Sequence, residues 1–125
     1  MKRSVFKQSS NFMRRTNRMK SKQRAVTAKE KEYWDLLATK IGCIACRLDG
    51  RFNDYVSIHH IEGRTRPGCH MFVLPLCAEH HQQDDSDPLN RIAVHPNQGM
   101  FERLYGSQIE LMEKCREILK EQELI

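Results

Sequence analysis

Two stretches decide the fold: His59-His60-Ile61 and, further along, Leu76-Cys77-Ala78-Glu79-His80-His81. The first ends the segment Tyr55-Val-Ser-Ile-His-His-Ile61, whose alternation predicts a strand. Successive side chains of a strand face opposite sides, so His59 and His60 cannot easily share one metal. They suit two roles, one ligand and one base. The second follows a short apolar segment, Met71 to Leu76, read as a strand that Pro75 confines to an edge or a strand end. A short helix is expected from Ala78 to about Gln83, closed by Asp84-Asp-Ser-Asp-Pro88. Neighbours on a helix splay by about 100°, so His80 and His81 look in different directions. The expected order is strand with His-His, loop, strand, helix with His-His, which is an α+β arrangement.

Cys43-Ile44-Ala45-Cys46 and Cys77-Ala78-Glu79-His80 are two short-spaced pairs of soft ligands. Such pairs are what a tetrahedral structural zinc needs, since each turn aims two ligands at one point. Cys69 is a competitor that would replace His80, and Cys115 lies on an apolar helix face and is expected in the core. Five cysteines, an odd number, beside histidines at metal spacing oppose a secreted disulfide scaffold. No apolar leader is seen, and a cytoplasmic location is the expectation. No run approaches the roughly 20 apolar residues of a membrane helix. Six histidines between positions 59 and 95, beside a zinc knuckle, suggest a second metal site.

The flanks are helical. Thr27-Ala-Lys-Glu30 is a capping box, followed by an apolar stripe at Tyr33, Trp34, Leu37, Ala38 and Ile41, with Gly42 as the stop. A helix over 28–41 is predicted. Met100 to Tyr105, stopped by Gly106, is a short helix, and Ser107-Gln-Ile-Glu110 is a second capping box opening an amphipathic one. Charge is uneven. Residues 1–31 carry eleven Lys/Arg against one acid, whereas residues 32–125 carry ten against fifteen. Residues 1–26 are read as a disordered basic arm that seeks nucleic acid through Arg14, Arg15, Arg18, Lys20, Lys22 and Arg24; residues 27–125 are the folded domain. The arm is expected to supply affinity and little chemistry. A body this small gains from a metal staple.

His59-His-Ile-Glu-Gly-Arg64, Val73-Leu-Pro-Leu-Cys77, Cys77-x-x-His80-His81 and His95 ahead of Phe101-Glu-x-x-Tyr-Gly106 resemble the HNH endonucleases. Within that family they are most similar to phage-encoded recombination-enhancement nucleases, which depend on RecA filaments. The resemblance covers roughly residues 33–119. It implies a ββα-metal fold stapled by zinc, in which hairpin and helix cradle one divalent cation. It makes His60 the general base, His59 the first metal ligand and His81 the ligand on the helix. The Asn of the family name has no counterpart in residues 71–76, which leaves its role to His70 or a main-chain group. His95 is outside the core pattern and is expected as a third ligand in preference to a phosphate contact. The implied partners are DNA and a RecA filament in a bacterial host cell.

The expected chemistry is phosphodiester hydrolysis. His60, neutral near pH 7, takes a proton from water, and a cation on His59, His81 and His95 relieves charge on the phosphate. Arg64 and Arg66 hold adjacent phosphates. An oxygen-only site suits Mg²⁺, whereas imidazoles favour Mn²⁺ or softer ions. A non-catalytic zinc module that binds nucleic acid through its arm explains the cysteines but leaves four histidines without a task. An RNA nuclease of the same fold is not separable by sequence.

Overall fold

The computed structural model describes residues 23–125. Arg14, Arg15, Arg18, Lys20 and Lys22, with the arm up to residue 22, lie outside the described residues.

The first helix, α1 (Ala28–Leu36), begins as expected. Thr27 Oγ1 accepts from Glu30 N at 3.2 Å, and Glu30 Oε1 accepts from Thr27 N at 2.8 Å. The predicted helix reaches Ile41, but its last turn, Leu37–Ile41, is π-helical, with Leu37 and Ile41 fully buried. Gly42 ends it at φ 70°, donating to Leu37 O at 2.9 Å. A Cβ at Gly42 would lie 2.6 Å from Asn53 O, so only glycine fits this stop. Cys43 then caps a five-residue helix, α2 (Ile44–Leu48), its sulfur accepting from Cys46 N at 3.4 Å. The second half of the knuckle is therefore helical.

Strands β1 (Val56–His60) and β2 (Val73–Cys77) pair antiparallel, with Val56 opposite Cys77 and His60 opposite Val73. β2 starts two residues later than the reading of Met71 to Leu76, because Met71 N and Phe72 N are tied into turns to Gly68 O and Cys69 O. Pro75 sits inside β2 opposite Ile58, in a two-stranded sheet whose strands are both edges. All of β2 is buried, since the π-helical turn, α2 and the last helix pack over it.

β2 runs directly into α3 (Ala78–His81), two residues shorter than expected. The next helix, α4 (Val94–Tyr105), starts six residues before the expected Met100 and is kinked, with non-helical backbone at His95 and Asn97. Pro96 turns the preceding His95 out of the helical region, and Gln83 braces the bend: its Oε1 accepts from Ala93 N at 3.0 Å and from Asn97 Nδ2 at 2.8 Å. Gln83 N also donates to His95 O at 2.8 Å, which ties the kink to the end of α3. The last helix, α5 (Gln108–Glu121), opens with the expected Ser107/Glu110 capping box. Its Leu111, Cys115 and Leu119 join Leu37, Ile41, Ile44, Leu74, Leu76 and Phe101 in one core. Cys115 is therefore a core residue. No helix among the described residues is long and apolar enough to cross a membrane.

Candidate active site and metal centres

Cys43, Cys46, Cys77 and His80 converge, each at most 1% exposed. Gly42 and the start of α2 present one pair, and the junction of β2 with α3 presents the other. Cys46 Sγ lies 3.7 Å from Cys77 Sγ, and His80 Nδ1 lies 3.4, 3.5 and 3.3 Å from the sulfurs of Cys43, Cys46 and Cys77. A zinc tetrahedron with bonds of about 2.3 Å to sulfur and about 2.0–2.1 Å to nitrogen has S–S edges of about 3.7 Å and S–N edges of about 3.5 Å. The observed edges fit. His80 is held in the required tautomer by its other nitrogen: Nε2 donates to Tyr105 Oη at 3.1 Å, which donates to Asp49 Oδ2 at 2.8 Å. Burial, followed by the bond to Asp49, pushes the Tyr105 pKa up, so the hydroxyl keeps its proton. Hydrogen bonding from Cys43, then from His80, draws the Cys77 thiol well below the ordinary thiol range. Cys69 is buried elsewhere and is not part of this cluster, so the rival ligand set does not form.

His59, His81 and His95 form the second cluster, their ligand nitrogens within 4.8 Å of one another. β1 supplies His59, α3 supplies His81, and the kink in α4 supplies His95. His59 is 5% exposed, and its Nε2 donates to Gln108 Oε1 at 2.8 Å, which leaves Nδ1 as the lone pair. Ser57 Oγ donates to Leu76 O at 3.5 Å and accepts from His81 Nδ1 at 3.3 Å, which leaves His81 Nε2 as a lone pair. These two nitrogens face each other at 3.3 Å. Two nitrogens about 2.1 Å from a shared cation stand about 3.0–3.4 Å apart at octahedral or tetrahedral angles. With both nitrogens unprotonated, a cation held between them would offset their repulsion. Burial first, then the neighbouring imidazoles, lowers the pKa of His59 and His81, which keeps both in the neutral, ligating form.

His60 points to the other side of β1, as the alternation requires. Its Nε2 lies 2.9 Å from His70 Nδ1, and His70 Nε2 lies 2.6 Å from the carbonyl of Arg24. Trp34 on α1 packs edge-on against both rings and donates to His70 O at 2.7 Å. His60 Nδ1 is buried with no hydrogen-bond partner. Leaving such an atom unpaired costs roughly 1–3 kcal/mol, so it marks a place reserved for something else. Burial, then the Arg64 guanidinium, then His70, pushes the His60 pKa down to about 4, and the ring is neutral at pH 7.

His59, His60, His81 and His95 line one cleft of about 860 Å³, together with Gln23, Arg64, Glu102 and Gln108. Arg66 is set apart from the cleft lining, and its guanidinium donates to Glu62 Oε1 at 2.7 Å. Arg24 Nε donates to Thr65 O at 3.2 Å. Sequence reasoning missed Gln108, Ser57, Trp34 and the Tyr105–Asp49 pair. Gln108 and Tyr105 had a signal, since each lies at a capping position or stop already recognised; Ser57 and Asp49 carried none.

A profile of the family described as recombination enhancement, RecA-dependent nuclease matches residues 26–120. That span holds both ligand clusters and His60. The chain thus belongs to the recombination enhancement, RecA-dependent nuclease family and is a nuclease.

Proposed function

We propose that the chain is an HNH-type, metal-dependent DNA endonuclease, stapled by zinc at Cys43, Cys46, Cys77 and His80, that acts in recombination on RecA-coated DNA. The resemblance of residues 59–64, 73–77 and 101–106 supports a phage source. One observation carries the catalytic reading. His59, His81 and His95 offer ligand nitrogens within 4.8 Å of one another, and His60, neutral with a buried and unpartnered Nδ1, lines the same cleft. A non-catalytic module has no use for that pairing.

His60 Nδ1 accepts the proton of the attacking water, while its Nε2–H stays on His70 Nδ1 and fixes the ring. Trp34 limits both rings to one orientation. His59, His81 and His95 would hold a divalent cation, which when bound would supply Lewis-acid polarisation of the phosphate and charge relief for the leaving oxygen. Arg64 faces the cleft and is the guanidinium placed for a neighbouring phosphate. Arg66 would first have to leave Glu62. Gln108, buried and bonded on to Glu102, keeps His59 from rotating. The expected product carries a 5′-phosphate.

The deciding experiment incubates single- and double-stranded DNA, and matched RNA, with and without RecA filaments in Mg²⁺ or Mn²⁺. DNA cleavage that requires a divalent ion and rises with RecA is expected. Binding without cleavage in every ion would turn the reading to a zinc-stapled binding module.

Metal choice offers a second check. With imidazole ligands, Mn²⁺ is expected to support cleavage at lower concentration than Mg²⁺. His59→Asp exchanges a nitrogen for oxygen and is expected to move the preference toward Mg²⁺. An unchanged Mn²⁺/Mg²⁺ ratio in that variant would take position 59 out of the metal site.

A further inference from the structure

We propose that the root of the basic arm is a working part of the active site: the main-chain carbonyl of Arg24 sets the tautomer of His70 and so leaves Nδ1 of His60 as the proton acceptor. The proposal rests on the reading of His60 as base.

The logic follows from donor and acceptor counting. A carbonyl only accepts, so His70 Nε2, 2.6 Å from Arg24 O, carries the proton of the neutral ring. His70 Nδ1 is then a lone pair, and at 2.9 Å it requires the proton of His60 on Nε2. The remaining nitrogen of His60, Nδ1, is the one without a partner. Remove the carbonyl and nothing selects this pattern. His70 can then carry its proton on Nδ1 and donate to His60 Nε2, which strands the proton of His60 on Nδ1, the atom that must accept. The Arg24 carbonyl thus does for His70 what a carbonyl or carboxylate on the far nitrogen does for catalytic and ligating imidazoles generally: it fixes which nitrogen carries the proton.

The segment is built to stay. Arg24 N donates to Arg64 O at 2.8 Å, and Arg24 Nε donates to Thr65 O at 3.2 Å. Residue 24 is therefore clamped to the loop that carries Arg64 while its carbonyl meets His70. Gln23 lines the same cleft as His59 and His60. Residues 1–22, with eight Lys/Arg and no acid, lead straight into this clamp. The sequence expectation that the arm supplies affinity and little chemistry is thereby revised at its last residues. The segment that tethers the arm also orders the base, and Arg24 is a positioning residue acting through its main chain.

The test uses the zinc-loaded full chain. Arg24→Pro removes the N–H to Arg64 and the guanidinium to Thr65 together. At saturating DNA, kcat is expected to fall roughly ten- to a hundredfold, a share of the roughly 10²–10⁴ that a positioned base supplies. Arg24→Lys, which restores the N–H, is expected to recover most of the rate. Ring ¹⁵N spectra should show His60 protonated on Nε2 in the parent and mixed between nitrogens in Arg24→Pro, with zinc content and melting retained. A kcat within twofold of the parent, with only KM raised, would reduce Arg24 to a DNA contact and overturn the proposal. So would an unchanged His60 tautomer in the variant. If the proline chain loses its melt, the parent spectrum decides: a proton on His60 Nδ1 overturns the proposal, and one on Nε2 supports it. Failure of the underlying reading looks different, since full cleavage by His60→Ala removes the base whatever Arg24 does.

Discussion

Cys43→Ala and Cys77→Ala are expected to abolish the cooperative melt, not merely the chemistry. The four proposed zinc ligands tie the segment after the π-helical turn to the junction of β2 and α3, in the middle of the one core. Structural zinc contributes roughly 10–16 kcal/mol in small zinc modules, and that energy is largely folding energy. Whole domains are stable by only about 5–15 kcal/mol. Losing the whole zinc contribution is therefore comparable to or larger than the net stability of a domain. Deleting one thiol also leaves buried sulfurs and an imidazole without the cation that reconciles them. Cys69→Ala is the matched control, because that thiol is buried outside the cluster; it should retain zinc and melt cooperatively. Thermal melts by circular dichroism, read beside zinc content, make the comparison. A Cys77→Ala chain that melts like its parent and keeps zinc would break the ligand set.

His60→Ala should separate chemistry from structure. The side chain bears on Trp34 and His70 but on none of the thiol ligands, so folding, zinc content and DNA binding should persist. Cleavage should drop by roughly 10²–10⁴, the contribution of a positioned general base. Single-turnover rates at saturating DNA measure this directly. Residual activity above about one part in a hundred would move the base to another group, His70 first.

Patterning made much of this legible. Both capping boxes, the Gly42 stop, the strand bearing His59 and His60, and the paired ligand spacings are local signals, and local signals survive into the fold. The two capping boxes appear with both hydrogen bonds, because their partners are three residues apart. What sequence did not announce depends on contacts between distant positions. The kink that delivers His95 lies at Pro96, but the bonds from Gln83 that tie it to the end of α3 are not written in any local pattern. The start of β2 is set by turns at Met71 and Phe72 that no periodicity records. Gln108 reads as the first residue of an amphipathic helix, and only the packing of α5 on the sheet makes it the partner of His59. Arg66 donates to Glu62, four residues earlier in the loop, a pairing that no periodicity announces.

A single peptide bond joins His80 to His81. One ring is sealed in the thiol cluster, while the other is turned toward His59 and His95. If the thiol cluster holds zinc, as proposed, loss of that ion is expected to loosen the mount that aims His81 and so to weaken the outer site with it. A chelator strong enough to strip the inner ion would silence the enzyme in one step, even with the outer cation in large excess.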